Sequence, residues 1–588
     1  MISLDLLESN KDAVLHSLET HNFTFFSSIG AIPALQFFSK ITQAKFLFIS
    51  DDLGISQWYK DIPYQTSVYD DRFSVEGSSW LTYELVLFLL SQDTTFLNSF
   101  DFIIMDGIDQ RSANSDFVFS LIVNLKLQNK FIVLQRSNYQ YDLYTKFLEK
   151  YGYTSNLINL EEQSSISTYF LPEPCQNINK EILETLDTIL STDTISNSFD
   201  ILILLSNDYE IHQFKTLILD SSINHDFSII TDLFKYQVQG SHRRIILSTN
   251  SHYFQDFPHK IRYIIDSGLQ GGIPINKNQI EQHLSILRNE DSSYFGMFSE
   301  SGVIDSFNHL SQVELLPFII YLLKFNQNLN DFEFLSSPPL NNIKKSISYG
   351  IYMGILKIND VQDLKLSEMG VMIIKYQLQL NISSISLYTS LVVSITKNFP
   401  QVVTCSIMKI ISMLITQNIG KLTKFIHKDF EFKKSLSKIM SHDESLAESD
   451  FISLVFIFNE IIGNEQHIKT SGAKHNVIMN KFNKDEKKQI LHVYKQLEKI
   501  IGYNIKSKEP LDPNQLHKCL FIGFQLQCAT IIKNVSNGND ILDIELIPVI
   551  RPLLLTEKHT TLNNSPEGID LIKSNDIIIY YKSEYITF

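Results

Sequence analysis

Short apolar runs bounded by polar turn residues recur through the first half of the chain. Phe23–Phe26, Lys45–Ile49, Phe102–Met105 and Phe131–Leu134 each have strand character. Stretches of helical pattern, Trp80–Leu90 and Phe117–Leu127, lie between them. Strands alternating with helices over residues 1–170 predict a parallel sheet with helices on both faces. A second α/β unit is expected over 171–304, where Phe199–Ile211 reads as a buried strand with a polar exit. The pattern then changes. Leu315–Phe325 reads as a helix within a unit at 305–372, and helical periodicity dominates 373–510, with a polar break near His442–Asp450. Leu511-Asp512-Pro513 marks a linker, and in 511–588 short strands are expected at Ile541–Leu546, Val549–Leu555 and Ile577–Tyr581.

Length and composition fit this division. A chain of 588 residues suggests about four domains. Its 44% hydrophobic and 12% aromatic content is ample for folded cores. A net charge of −15 opposes strong non-specific binding to phosphate backbones, although a local basic groove can exist within an acidic whole. The lysine pairs Lys433-Lys434 and Lys487-Lys488 read as solvated helix faces. Cys175, Cys405, Cys519 and Cys528 form no CxxC pair, so reduced thiols in an intracellular protein are expected, with no zinc site. The acidic N-terminus predicts no secretory or transit signal. The longest apolar stretch, Val402–Thr416, is broken by Thr404, Ser406, Lys409 and Ser412, and predicts a buried helix rather than a membrane span.

Candidate chemistry concentrates at Asp101–Asp116, DFIIMDGIDQRSANSD. Asp106 sits just past a strand, at the sheet edge where open α/β folds bind ligands. The stretch resembles motif II of the DEAH-box RNA helicases. Asp106, Arg111, Ser112, Asn114 and Asp116 keep that pattern, whereas Gly107 stands at the catalytic glutamate, Ile108 at the alanine and Asp109 at the histidine. A glycine cannot orient or deprotonate a water. The phosphate loop of the family falls at Phe25–Phe38, where Gly30 is the remnant, Pro33 lies near the lysine position and no lysine occurs between His21 and Lys40. Asp51 and Asp52 replace a basic run, and Gln135-Arg136-Ser137 replaces the S-A-T motif.

The resemblance extends along nearly the whole chain, from about 20 to 588. Val75–Leu85 resembles the family's T-D-G-x-L-L-R-E helix entry, and Leu171–Pro174 its entry into a second RecA-like domain. In Arg243–Leu269, Thr249, Asn250, Ile261, Tyr263, Ile265, Asp266 and Gly268 align with the family without a gap. By resemblance Thr249 and Asn250 are candidate RNA-contacting residues; capping of the strand end is the structural alternative. Pro274, Ile275, Lys277 and Gln282 persist in the last helicase motif, but its two phosphate-stabilising arginines fall at Ile286 and Asn289, with Arg288 out of phase. Phe332–Pro339, Tyr352–Leu356 and Leu366–Gly370 resemble the family's winged-helix module, and Lys518–Ala529 the lead-in to its OB-like barrel.

The resemblance implies two RecA-like parallel-sheet domains (1–170 and 171–304), a winged helix (305–372), a ratchet-like helical bundle (373–510) and an OB-like β domain (511–588). The broken motifs imply no catalytic residue and no bound cofactor. The expectation is a non-hydrolysing scaffold with protein partners, and possible RNA contact, in an RNA-processing or ribonucleoprotein complex. No DNA or membrane partner is expected, and family analogy favours the nucleus over the cytosol. Two other readings remain open. One is a divergent RNA-dependent ATPase, with Asp106 holding Mg²⁺ beside ATP and Asp109 as a surrogate base. The other is a protein–protein module without RNA contact.

Overall fold

The computed structural model describes most of residues 2–416, leaving aside 42–43, 52–78, 161–165, 193–198, 222–226, 232–242, 255–260, 288–290, 306–309, 360–362, 377–381 and a few single or paired positions. Beyond 416 it describes chiefly 450–466, 484–502, 511–524, 528–534, 543–548 and 577–579. Glu76, Gly77, Lys433, Lys434, Tyr580 and the expected strand Val549–Leu555 therefore lie outside the described residues. The chain divides into two compact units. The first comprises 1–68, 72–313 and 330–339, and the second the remainder.

Two parallel six-stranded sheets form the frame of the first unit. The first sheet contains β1 (Phe23–Ser27), β2 (Phe46–Ile49), β3 (Ser79–Leu81), β4 (Phe102–Asp106), β5 (Lys130–Leu134) and β6 (Ser155–Asn159). Their order is β3-β2-β4-β5-β1-β6, so β5 lies between β4 and β1. The registers Phe23↔Phe131 and Asp106↔Leu134 bring the ends of these three strands to one edge. Helices α1 (Ile2–Ser9), α2 (Lys11–Thr20) and α3 (Ala31–Ile41) cover one face. There Leu7, Val14, Ile32, Leu35 and Phe38 pack on Phe26, Phe48, Ile104 and Ile132. On the other face, Phe119 of α5 (Ala113–Asn124) and Tyr144 of α6 (Tyr141–Lys150) meet edge to face at 5.2 Å.

The apolar run expected as one helix over Trp80–Leu90 is instead a strand followed by a helix. Ser79–Leu81 pairs with Leu47–Ile49, and α4 (Tyr83–Gln92) begins at Tyr83, where the Thr82 side chain accepts the Leu85 N–H. Ser112 likewise accepts the Ser115 N–H, so α5 starts four residues before the expected Phe117.

The second sheet holds β7 (Ile166–Phe170), β8 (Asp200–Leu204), β9 (Phe227–Ile230), β10 (Arg243–Ser248), β11 (Ile261–Asp266) and β14 (Ser292–Gly296), in the order β7-β14-β11-β8-β10-β9. A two-residue hairpin, β12 (Leu269–Gln270) with β13 (Ile273–Pro274), follows β11. Ile166–Phe170, placed by pattern in the first domain, is the edge strand of this second sheet through its pairing with β14. Helices α7 (Ile178–Thr192), α8 (Asp208–Asp220) and α9 (Lys277–Leu284) accompany the sheet. Asn207 caps α8 by accepting the Glu210 N–H, and Asn276 with Gln279 forms a capping box at α9. These polar residues of the helicase-like stretches thus shape helix starts.

In the second unit, helices Leu316–Lys324, Leu340–Tyr352 and Glu368–Tyr376 accompany an antiparallel hairpin, Leu356–Ile358 with Leu364–Leu366, as a winged helix requires. Gly354 takes a φ of +71° at the turn after the middle helix, a conformation that favours glycine. Helices Ile382–Thr396, Gln401–Thr416, Asp450–Gln466, Lys484–Ile501 and Pro513–Gly523 form the bundle. Among the described residues three antiparallel strands follow: Cys528–Asn534, flanked by Asp543–Pro548 and Ile577–Ile579. The first of these was not expected. No helix of the described residues is long and apolar enough to cross a membrane.

Candidate functional site

The edge shared by β1, β5 and β4 carries the residues that align with the family's phosphate-handling motifs. Only Ser28, Ile29 and Gly30 separate β1 from α3. Ile29 and Ala31 are fully buried, so this link packs into the protein instead of wrapping an open concavity. Pro33 is the third residue of α3, within the first turn, where a missing N–H costs no intrahelical bond. Gly30 is in place, but the amides around it form no extended glycine-rich cradle.

Asp106 ends β4 and is 0% exposed. Its partner is Arg136, just past β5 and itself buried. The guanidinium Nη1 donates to Asp106 Oδ1, and Nη2 donates to Oδ2 at 3.3 Å. Ser50 Oγ donates to the same carboxylate at 3.3 Å, and the Tyr83 hydroxyl donates to the Asp106 carbonyl at 2.9 Å. Burial, and after it the carboxylates of Asp51 and Asp106, push the Tyr83 phenol well above its ordinary pKa, so it stays a donor. Sequence comparison treats Gln135-Arg136-Ser137 simply as a lost motif. The available signal was an arginine one strand away from an aspartate, since a buried carboxylate requires a partner.

Beyond Asp106 the chain turns through Gly107, at a left-handed φ of 70°, into a 3-10 turn at Ile108–Gln110, and leaves through Arg111 at φ 58°. Tyr144 O–H donates to the Ile108 carbonyl at 2.8 Å. Arg111 holds the exit: Nε donates to Asp116 Oδ1 at 2.8 Å, and Nη2 donates to Asp116 Oδ2 and Ser336 Oγ, both at 2.7 Å. Arg111, Ser112 and Asp116 therefore act as local braces of the turn. Asn114 is half-buried on the first turn of α5.

Asp109 is fully buried, and its carboxylate accepts the Arg136 backbone N–H at 2.8 Å. From the second sheet's side, Asn278 Nδ2 and Gln282 Nε2 donate to its carbonyl at 2.6 and 2.9 Å. Gln282 also reaches the Asp109 carboxylate at 3.3 Å. Ile286, at an arginine position of the last motif, is 2% exposed and packs with Ile264, Ile280 and Tyr294. Thr249 is half-buried just past β10; Asn250, Arg288 and Asn289 lie outside the described residues.

Two crystal structures of the Escherichia coli protein HrpB, one described as a DEAH/RHA helicase and the other as a DExH-box NTPase, align with this chain at a TM-score of 0.63. The fold is that of a DEAH/RHA helicase. Sequence identity is 12% in both cases, over 92% and 91% of this chain. The chain spans 65% and 62% of the HrpB chains, less than two thirds of their length. No family model and no curated protein matches the sequence.

A helicase of this fold implies a nucleotide with a magnesium ion at the β1/β4 edge. The residues here do not fit that group. A guanidinium already neutralises Asp106, the link after β1 is short and buried at Ile29, and no lysine occurs between His21 and Lys40. Among the described residues no cluster of His, Cys, Asp and Glu is arranged to hold a metal ion.

Proposed function

We propose that this protein is a non-hydrolysing member of the helicase-shaped proteins, serving as a scaffold subunit in an RNA-processing or ribonucleoprotein complex. The observation that carries the first part is the buried Arg136–Asp106 pair. Asp106 is the acidic group that would face a metal, and its charge is matched by a cation of the protein itself. Gly107 supplies no base, and Ile286 supplies no charge for a transferring phosphate. Several independent replacements would be needed at once for turnover.

A scaffold role is supported by exposed apolar side chains in the winged-helix region, among them Tyr352 at 63% and Ile358 at 58% exposure. The net charge of −15 favours protein partners over extended RNA contact.

The test is ATP turnover by the pure full chain, with and without single-stranded RNA, alongside HrpB as the active control. The expected result is no turnover, and no rise in melting temperature at millimolar ATP and magnesium. Turnover that Asp106→Asn abolishes would overturn the reading. Salt-dependent RNA binding, measured in parallel, separates an RNA-contacting subunit from a purely protein-binding one.

A further inference from the structure

The bonds around Asp109 do more than replace a catalytic residue. They join the two sheets' lobes. On the first lobe Asp109 is fixed from both sides: Tyr144 holds the carbonyl of the preceding residue, and the Arg136 N–H holds the carboxylate. On the second lobe α9 is pinned at both ends. Its N-terminus is set by the Asn276–Gln279 capping box. Near its C-terminus, His283 Nδ1 lies 2.6 Å from Asp266 Oδ2, which also accepts from the Tyr294 hydroxyl at 2.8 Å. The second oxygen, Asp266 Oδ1, accepts the Gly268 N–H at 2.8 Å. Asn278 and Gln282, four residues apart and so on one face of α9, both deliver amides to Asp109. Asp109, Asn278 and Gln282 are 0%, 2% and 6% exposed, so these bonds are dry, and breaking them strands polar groups.

In two-lobed proteins a ligand in the cleft ordinarily supplies the contacts that hold the lobes closed. Here the chain supplies them. We propose that Asp109 latches the two RecA-like lobes shut without any ligand, so that the closed arrangement is constitutive instead of nucleotide-driven. The latch deepens the scaffold reading, on which it rests for its purpose: a partner would meet one fixed lobe arrangement at every stage, whatever the nucleotide supply.

The test is the distance between spin labels at Asp142→Cys on α6 and Thr188→Cys on α7, in the full chain with Cys175 and Cys528 replaced by serine. The expected result is one narrow distance distribution, unchanged by ATP and magnesium. Asn278→Ala with Gln282→Ala should broaden it or move it to longer distances. Asp109→Asn, which keeps the carbonyl that accepts both amides, should change it less. A broad distribution that narrows when ATP and magnesium are added overturns the latch, as does a double variant superposing on the parent while circular dichroism shows both folded. The two readings fail separately. Turnover in a protein with a narrow, ligand-independent distribution removes the non-hydrolysing reading and leaves the latch. An open distribution without turnover removes the latch alone.

Discussion

Replacing Arg136 by methionine removes the positive charge from a carboxylate that is 0% exposed, while filling much of the same volume. The loss can be bounded from both sides. Were the pair a surface contact, it would be worth about 0–1 kcal/mol. Both side chains are almost fully buried, at 3% and 0% exposure, and the Arg136 backbone also holds Asp109. Breaking a buried pair from one side typically costs about 3–5 kcal/mol, because the remaining charge is stranded. For a lobe of this size each kcal/mol moves the melting temperature by roughly 2–4 °C, so a drop of about 6–20 °C is expected. Asp106→Asn added to Arg136→Met removes the stranded charge, and should recover most of the loss, because neutral replacement of both members of a buried pair is often close to neutral. Thermal melts of the parent, the two single variants and the double variant close the cycle. A single-variant loss below about 1 kcal/mol, or a double variant no better than Arg136→Met, would refute the view that this pair is a committed internal substitute for a metal.

Further outcomes follow from the same physics. Burial raises the Glu314 carboxyl pKa, which accepts from Ser346 Oγ at 2.6 Å. A raised carboxyl binds more protons folded than unfolded between its ordinary and its raised pKa, so its charged form costs stability as pH rises through that window and above. Glu314→Gln should therefore melt higher than the parent at neutral pH, with the difference shrinking as the pH falls below the ordinary glutamate value. Phe332, 6% exposed, packs tilted against Phe117 and edge to face with Phe334 and anchors the 330–339 segment on α5; Phe332→Ala should cost about 3–5 kcal/mol in urea unfolding. Lys150→Ala, which removes only the exposed partner of Glu333, should cost less than about 1 kcal/mol in the same assay. Gly268 combines a φ of +76° with the Phe298 ring where a Cβ would project, so Gly268→Ala should destabilise the second sheet by about 1–3 kcal/mol, read as a lower melting temperature.

Much of the frame was legible because parallel strands buried on both faces read as short continuous apolar runs. Phe102–Met105 and Phe131–Leu134 are of this kind, and β4 and β5 match them within a residue. The edges were harder. Ser155–Asn159 and Ile166–Phe170 are polar or half-exposed, so they carry no such run, and only hydrogen-bond pairing reveals to which sheet each belongs. Trp80–Leu90 misled for the opposite reason. Strand β3 and helix α4 are both buried nearly all round, so no change of period marks the junction, and the Thr82 cap is the sole local sign. At the site, the motif comparison located Asp106, Asp109, Gln282 and Ile286. It could not reveal that Arg136 reaches Asp106 from the neighbouring strand, or that Asn278 reaches Asp109, because both contacts depend on side-chain reach across elements.

The pattern of what persists also bears on why this chain keeps a helicase shape. Arg111, Ser112 and Asp116 survive, and each makes a bond that shapes the turn or starts α5. Four of the described departures from the family pattern have a structural part. Arg136 matches the charge of Asp106, Asp109 accepts amides from α9, Gly107 takes the left-handed conformation that starts the 3-10 turn, and Ile286 fills a core. Each buried charge here depends on its partner. Arg136 without Asp106 would bury an unmatched guanidinium, and Asp109 without the Arg136 amide and α9 would bury an unmatched carboxylate. Under the proposed reading, bonding of these groups to one another serves a protein whose working property is the fixed arrangement of its two lobes.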